Sequence, residues 1–371
     1  MSMCCTIDRF KSYLDDESNE LSNMKEAISY LSVYLFAKDD NELFEKVIKK
    51  HDDLKEKIAW AKFCSLFNVL SNSAKVTYDE IRSNDIYNVN DLIEYMKSKN
   101  SMLNVYSPLD EYSDIIPSTF IKNFHTILEV SGHFLSMNPV IEHMQFASDK
   151  WIIDNLTPYS ISTKLKNHYS GSLHGKKFLS IDLKKGNATV LFILLPKLFG
   201  MDVELTEKHP WTIFIETITD NPFFRRSKEI RQNIIGSLHK KMSDVRIQTM
   251  IVKGMKTLIG SILEALLKSK IIPKKNVINY QNDEIVIQID ETIDEKELID
   301  SLKILPDFLP PIMSDWLMNF ITVEIYKLVK FDNPSFFVKE FSYPADKTHT
   351  FKHVKPKQQK SAYEKYKSYI S

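Results

Sequence analysis

The chain is poor in cysteine, with only three in 371 residues. The thiols are Cys4, Cys5 and Cys64, and none of them has the spacing of a zinc-binding cluster or lies beside a group of histidines. A zinc module built on cysteines is therefore excluded. Two thiols near the N-terminus are typical of a protein in a reducing compartment, and a redox or lipidation site at Cys4 and Cys5 stays open as the alternative.

Long apolar runs are missing as well. No stretch approaches the roughly 18 to 20 apolar residues that a membrane-spanning helix needs, and the N-terminus lacks the pattern of a signal peptide. We therefore expect no membrane partner and a cytoplasmic setting, which includes a host cytoplasm or a virion. Glycine is scarce, at eight residues, and Lys, Ile, Asn and Asp are abundant, which is typical of a virus, a plasmid or an AT-rich microbe.

The sequence also lacks an excess of one charge, because 49 Lys and Arg balance 49 Asp and Glu. Such a molecule has no overall field that attracts nucleic acid or a membrane surface. A polyanionic partner must then be bound by local basic patches. The length and the 43% share of hydrophobic residues are sufficient for two or three domains with a substantial core.

What the sequence does contain is two apolar stretches that each carry a carboxylate. Residues 178–183 read FLSIDL and include Asp182, and residues 277–289 read VINYQNDEIVIQI and include Asp283 and Glu284. β-branched runs of this kind favour strands, and the second stretch predicts a hairpin with its turn at residues 281–284. We predict a helix-rich α+β fold with an antiparallel sheet.

Carboxylates at the ends of two neighbouring strands can share a pair of Mg²⁺ or Mn²⁺ ions. If the two strands lie side by side, Asp182 and Asp283 are the predicted metal ligands. Glu284 is then a third catalytic carboxylate or a support for the other two. A simpler interpretation stays open, because Asp often caps the helix that follows a strand and Asn-Asp is common in hairpin turns.

The most basic stretch of the chain lies between these two strands. Its predicted triphosphate-binding residues are Arg225, Arg226, Lys228 and Arg231. On a helix, residues three apart are neighbours, so Arg225 and Lys228 share one face. Arginine also offers the fork of donors that suits a phosphate group. The alternative is an ordinary solvated helix face.

These pieces resemble the motifs of the family A DNA polymerases, in the same order. Residues 180–191 are similar to motif A, in which a strand ending in Asp is followed by a polar turn and an apolar helix. Residues 221–236 are similar to the basic fingers helix of motif B. Residues 254–267 are similar to the glycine-containing helix before motif C, and residues 282–284 stand at the motif C turn. The resemblance covers residues 178–300.

The resemblance implies a polymerase palm, which is an antiparallel sheet with helices behind it. The implied activity is template-directed nucleotidyl transfer assisted by two Mg²⁺ ions, or by Mn²⁺. The implied partners are nucleic acid, as a primer-template or single strand, nucleoside triphosphates, and other replication or virion proteins. The chain departs from the family at Asn187, where the family has an acidic residue near the sugar, and at Asn282, where it has His. The stretch from Arg226 to Asp283 is also shorter, which implies reduced fingers.

Composition and periodicity divide the chain into four regions. We predict a helical accessory domain at residues 1–105, a helical thumb-like region at 106–177, the palm with reduced fingers at 178–345 and a basic tail at 346–371. Lysines that precede the first strand, or that alternate with aromatic residues in the tail, are predicted to contact nucleic acid. They are Lys164, Lys166, Lys176, Lys177, Lys352, Lys355 and Lys357.

Helical patterns are predicted at four further places. They are residues 120–151, with a break at Asn138-Pro139, residues 211–218, residues 294–302 and residues 316–329. Two other classes of protein remain open. One is a polymerase fold without catalysis, which serves as an accessory or structural subunit that binds nucleic acid or a partner polymerase. The other is an all-helical scaffold or virion component.

Overall fold

The computed structural model describes a large part of the C-terminal two thirds of the chain. The described residues are 91, 94–95, 98, 120–160, 168–221, 224–225, 228–241, 245–281, 283–332, 335–345, 347, 349–354 and 359–370. Almost all of the predicted accessory domain at residues 1–105 lies outside them, as do Lys164, Lys166, Arg226, Lys355 and Lys357.

The chain divides into two compact units. One comprises Gly132–Phe214 and Lys228–Gln358 and contains the whole sheet, and we call it the sheet unit. The other comprises Met1–Ser131, Ile215–Ser227 and Gln359–Ser371. Its described part includes the helix α11, Gln359–Ile370, which lies within the predicted basic tail. That tail therefore contains regular structure.

In the described range 120–160 three helices precede the sheet, and the predicted break between the first two is confirmed. They are α1 (Phe120–Ser136), α2 (Pro139–Phe146) and α3 (Asp149–Asn155). Asn138 caps α2 by accepting a hydrogen bond from the Val140 amide at 3.0 Å, and Pro139 occupies the first turn. Proline is tolerated there because that position has no intrahelical partner for its amide.

Six strands form one open sheet in which every pair is antiparallel. They are β1 (Lys177–Leu183), β2 (Val277–Tyr280), β3 (Glu284–Ile289), β4 (Ile321–Phe331), β5 (Phe336–Tyr343) and β6 (His349–Lys352). Their order is β2-β3-β1-β4-β5-β6. The α+β fold, the first strand and the hairpin of β2 and β3 are thus confirmed, and the all-helical alternative is excluded.

The prediction of a helix at residues 316–329 is wrong. After a 3-10 turn at Leu317–Phe320, the chain enters β4, which pairs with β1 on one side and β5 on the other. The stretch is rich in β-branched and aromatic residues, which suit a pleated surface. β4 lies inside the sheet with neighbours on both sides, so its many apolar residues obscure the alternation that marks a strand.

Helices connect β1 to β2 and β3 to β4. Between β1 and β2 they include α4 (Gly186–Thr189), α5 (Leu195–Leu198), α6 (Pro210–Glu216), α7 (Lys228–Lys241) and α8 (Val245–Lys268). Between β3 and β4 they include α9 (Glu295–Ser301) and α10 (Pro311–Ser314). The last two residues of α6 belong to the second unit, and the other helices named here belong to the sheet unit. A π-helical turn, Val190–Leu194, joins α4 to α5. α6 and α9 confirm the helices predicted at residues 211–218 and 294–302, and Asp294 caps α9.

The two faces of the sheet differ in what covers them. We call the face that carries Ser180 and Asp182 the front and the face that carries Leu179 and Ile181 the back, since successive side chains alternate. The Tyr280 hydroxyl on the back lies 3.3 Å from the Lys256 carbonyl oxygen of α8. Helix α8 therefore packs behind the strands that carry the carboxylates.

The close approach of α8 depends on glycine. A Cβ atom at Gly254 would lie 2.5 Å from Val190 Cγ1, which is far shorter than van der Waals contact. Gly254 thus lets α8 pack directly against the π-helical turn that follows β1 and α4. Among the described residues, no helix combines the length and the hydrophobicity that a membrane span would require.

Candidate active site

Main-chain pairing brings the two predicted carboxylate segments to one end of the sheet. β1 and β3 are antiparallel neighbours, and Asp182 is the direct cross-strand partner of Glu284. The Leu183 amide donates a hydrogen bond to the Asp283 carbonyl oxygen at 2.8 Å, which continues the pairing beyond β3. Asp182 and Asp283 are about a hundred positions apart in sequence, and backbone hydrogen bonds hold their segments together.

A tight turn fixes the backbone after Asp182. The Lys184 amide donates to the Phe320 carbonyl oxygen at 2.8 Å, and Lys185 has a positive φ of 51°. The Thr189 hydroxyl donates to the Lys184 carbonyl oxygen at 2.7 Å. The predicted polar turn between strand and helix is therefore present. Asp182 itself is the penultimate residue of β1 rather than the helix cap of the simpler interpretation, since the cap position of α4 is Lys185.

A buried histidine, His209, is hydrogen-bonded to Thr189 in this turn. His209 Nδ1 accepts a hydrogen bond from the Trp211 amide at 3.0 Å, so the ring proton is on Nε2, which lies 3.1 Å from the Thr189 hydroxyl. Burial, together with the charges of Lys185, Arg231 and Lys184, lowers the pKa of His209 to about 3. His209 is thus a neutral structural support, which the sequence pattern did not reveal.

Asp182 lies in a crowded acidic environment. Burial, together with the negative charges of Asp283 and Glu284, raises the pKa of Asp182 to about 7. The charge of Lys228 acts in the opposite direction on the same pKa. The ionised form of Asp182 therefore needs a compensating cation, and Lys228, one of the predicted triphosphate-binding residues, is close enough to contribute.

Glu284 differs from Asp182 because it has fixed partners. Its Oε1 accepts a hydrogen bond from the Ser180 hydroxyl at 2.7 Å and lies 3.4 Å from the Lys339 ammonium. Burial would raise the pKa of Glu284, but Lys339 and Ser180 outweigh it and the pKa is lowered. Two adjacent carboxylates thus have pKa values displaced in opposite directions, as at many sites that manage protons or cations.

The predicted triphosphate-binding residues occupy different surroundings. Lys228 is exposed at the start of α7, and Arg231 is buried one turn later, with 7% of its surface accessible. Arg225 belongs to the other unit, where its guanidinium donates to the Thr219 carbonyl oxygen at 2.6 Å and to Asp220 at 2.7 Å. Of this set, the structure associates Lys228 electrostatically with Asp182.

The lysines predicted to contact nucleic acid are spread over the sheet unit. Lys176 is exposed before β1, whereas Lys177 lies on the back and forms an ion pair with Glu295 of α9. Lys352, on β6, is half-buried, and burial together with the charge of Lys339 lowers its pKa. Lys352 therefore lies within a folded sheet rather than in an extended tail.

The oxygen donors at the end of β1 suit Mg²⁺ or Mn²⁺. Magnesium is commonly held by one or two carboxylates, with water and substrate phosphates completing its shell. Asp182 and Asp283 offer two carboxylates from adjacent segments, and a bound cation would relieve the repulsion between them. In the part of the chain that the structure describes, no three His, Cys, Asp or Glu side chains form a ready-made metal-binding group.

Two charged residues of the site escaped the sequence analysis because they lie on strands that it did not predict. Glu324 of β4 is the cross-strand partner of Ser180 and contributes to the raised pKa of Asp182. Lys339 of β5 reaches Glu284. The pairing of β4 with β1 and of β5 with β4 puts both residues on the front. No protein-family model, no curated protein and no solved structure matches this chain.

Proposed function

We propose that this chain is a template-directed nucleotidyltransferase of the DNA polymerase type, with its active site at the end of β1. The observation that carries the proposal is the pairing of Asp182 with Glu284 in adjacent antiparallel strands, with Asp283 hydrogen-bonded to the residue after Asp182. This is the arrangement that two carboxylate-bearing strands need in order to share metal ions.

The order of elements around β1 supports a palm. From β1 to β4 the chain runs strand, helices, hairpin, helix and strand, and these four strands lie in the order β2-β3-β1-β4. That is a split βαβ arrangement, with β1 between the hairpin and β4 and with α8 behind. The arrangement hosts many functions, so the functional argument depends on the side chains at the end of β1.

Each residue of the site has a distinct role in the proposal. Asp182 and Asp283 would hold the ions, and bound Mg²⁺ would supply the positive charge that activates the primer 3′-hydroxyl and stabilises the leaving pyrophosphate. Lys228 reduces the negative potential at Asp182, and in this proposal it binds the triphosphate. The new bond joins the 3′-oxygen to the α-phosphorus, the bond to pyrophosphate breaks, and the hydroxyl proton is lost to solvent.

The deciding experiment is primer extension with a labelled DNA or RNA primer-template, Mg²⁺ or Mn²⁺ and all eight nucleotides. We expect extension by the natural protein and a loss of at least about a thousandfold in a double variant, Asp182→Asn with Asp283→Asn. The matched control replaces two exposed carboxylates of the same sheet unit, Asp290→Asn with Asp300→Asn, and we expect it to extend normally.

Absence of extension by the natural protein would contradict the proposal. If template binding were then intact and equal in the natural protein and the Asp182 and Asp283 double variant, the remaining candidate would be a catalytically inactive accessory subunit. The eight nucleotides also distinguish a deoxyribonucleotide from a ribonucleotide preference, which the sequence leaves open at Asn187.

A further inference from the structure

Lys339 is an unusual feature of the front face, because it is a lysine with only 4% of its surface accessible. Lysine is almost never buried to this degree unless its charge is paired. Its ammonium lies 3.4 Å from Glu284 Oε1 and 4.3 Å from the centre of the Tyr326 ring. The lysine is therefore a fixed internal cation.

The contact between Lys339 and Glu284 joins two strands that are not neighbours in the sheet. Lys339 lies on β5 and Glu284 on β3, and the sheet order β3-β1-β4-β5 places two strands between them. Strands are spaced about 4.8 Å apart, so the two side chains must extend toward each other, with Glu284 reaching Ser180 on β1 and Lys339 reaching over β4. The Tyr326 ring, on β4, lies beneath the ammonium along that path.

The same carboxylate oxygen has a second partner. Glu284 Oε1 also accepts the hydrogen bond of Ser180 at 2.7 Å, and Ser180 is two residues before Asp182 on β1. The hydroxyl and the ammonium together orient the carboxylate of Glu284. A divalent cation bound to that oxygen would lie within a few ångströms of the ammonium, and two such charges repel each other strongly where water is excluded.

We propose that Lys339 serves as a built-in cation of this site and that Glu284 is a positioning residue rather than a metal ligand. In this arrangement Ser180, Glu284 and Lys339 connect β1, β3 and β5 across the front face. They hold the ends of β1 and β3 together, so that Asp182 and Asp283 alone receive divalent ions. The inference rests on the proposed function, because it assigns separate roles to the carboxylates of that same site.

The test counts Mn²⁺ ions bound to the full chain by electron paramagnetic resonance, in which the free ion gives the measured signal. We expect Glu284→Gln to bind as many Mn²⁺ ions at saturation as the natural protein, with a weaker Kd because Lys339 keeps its positive charge while the carboxylate that offsets it is gone. Lys339→Met exposes the Glu284 carboxylate to solvent ions, and we expect it to bind one additional Mn²⁺. Lys339→Arg keeps the charge and is expected to bind the natural number.

The matched control is Lys330→Met, which removes the same charge from β4 at a lysine that is paired with Asp332. We expect it to bind the natural number of ions, which separates a local effect from a change in net charge. If Lys339→Met does not fold, Glu284→Gln still decides the inference. The double variant, Glu284→Gln with Lys339→Met, removes both partners and is expected to bind the natural number.

The outcomes separate the role of Lys339 from the proposed function. Loss of a bound ion in Glu284→Gln, or no additional ion in a folded Lys339→Met, would contradict the role of Lys339 while leaving the proposed function in place. Retention of every ion in the Asp182→Asn, Asp283→Asn double variant would show that the ions bind elsewhere. That result would contradict both the proposed function and the inference built on it.

Discussion

At the scale of single residues, Asp182 is a carboxylate whose charged form is disfavoured by its surroundings. Burial raises the pKa of Asp182, and the negative charges of Asp283 and Glu284 act in the same direction. Glu284 and Lys339 show the opposite case, in which a buried charge is matched by a partner. A fold selected for stability alone would have little use for the first arrangement, and natural sites that bind cations often show it.

Replacement of Asp182 by Asn should therefore stabilise the protein while it removes activity. The pKa of Asp182 is raised in the folded state, so its ionisation destabilises the fold as pH rises toward and through 7. We expect Asp182→Asn to increase the free energy of unfolding at pH 8 by about 1–3 kcal/mol, a gain that shrinks between pH 7 and pH 4.

Urea titrations of the Asp182→Asn variant and the natural protein at several pH values measure this difference. Glu284→Gln is the informative contrast, because it leaves the buried Lys339 without its carboxylate and should reduce stability at pH 8. Equal stability of Asp182→Asn and the natural protein at every pH would show that Asp182 is not under electrostatic strain.

At the scale of secondary-structure elements, the position of α8 decides where the hairpin can lie. The helix ends shortly before β2, and it contacts the π-helical turn after β1 through Gly254. Gly260, further along the same helix, lies close to Tyr159 and Tyr280, since a Cβ there would be 2.8 Å from the Tyr280 hydroxyl oxygen. Two glycines thus allow one helix to pack tightly behind both carboxylate-bearing segments.

Gly254→Ala should destabilise the sheet unit because the new methyl group would collide with Val190. Val190 is fully buried and has a short, stiff side chain, so we expect a loss of about 1–3 kcal/mol in the free energy of unfolding. Gly236→Ala, in α7, is the matched control. A Cβ there has nothing within 4 Å, so the higher helix propensity of Ala should add up to about 1 kcal/mol.

Chemical denaturation of these two variants distinguishes steric effects from helix propensity. Opposite signs of the two changes are expected. A Gly254→Ala protein as stable as the Gly236→Ala protein would mean that α8 does not approach the π-helical turn so closely. Val190→Ala in the Gly254→Ala background should recover part of the loss, since it removes the atom in collision.

At the scale of the whole molecule, buried histidines link folding to pH. Burial lowers the pKa of His168 to about 4 and that of His209 to about 3, and neighbouring lysines act in the same direction. His168 Nε2 and the Tyr326 hydroxyl are joined by a hydrogen bond of 2.7 Å. His209 is hydrogen-bonded to Thr189 in the turn after Asp182. Both residues fold as neutral imidazoles.

These histidines should make the protein less stable in mild acid. Their folded pKa values lie below the unfolded value of 6.5, so the unfolded chain binds more protons and stability falls as pH drops below 6.5. Each should contribute a loss of about 1–2 kcal/mol by pH 5. Asp182 acts in the opposite direction, so the loss is best measured by urea titration in the Asp182→Asn background.

His209→Gln provides the control for this pH dependence. Glutamine cannot take up the proton, so the variant should lose less stability between pH 7 and pH 5 than its parent. The comparison uses differences between pH values, which removes any general cost of the substitution. An unchanged slope in the variant would show that His209 is protonated normally in the folded protein.

Local patterns in the sequence were sufficient for several elements. The apolar run before Asp182, the polar turn between β2 and β3, the Asn138-Pro139 break and the helix at residues 294–302 each depend on a few consecutive residues, and each was predicted. The helix at residues 316–329 was predicted wrongly, because β4 has partners on both sides and the sequence around it contains no information about them.

The sequence by itself determined which segments carry carboxylates and which of them form β1 and the hairpin, because strand and turn preferences are local. Only the tertiary structure decided that β1 pairs with β3 in the register that faces Asp182 with Glu284. It also decided that Lys339, 55 residues from Glu284, supplies the neighbouring cation. Register and burial arise from contacts between residues distant in the chain, and they set the pKa values and the pairing of charges at the site.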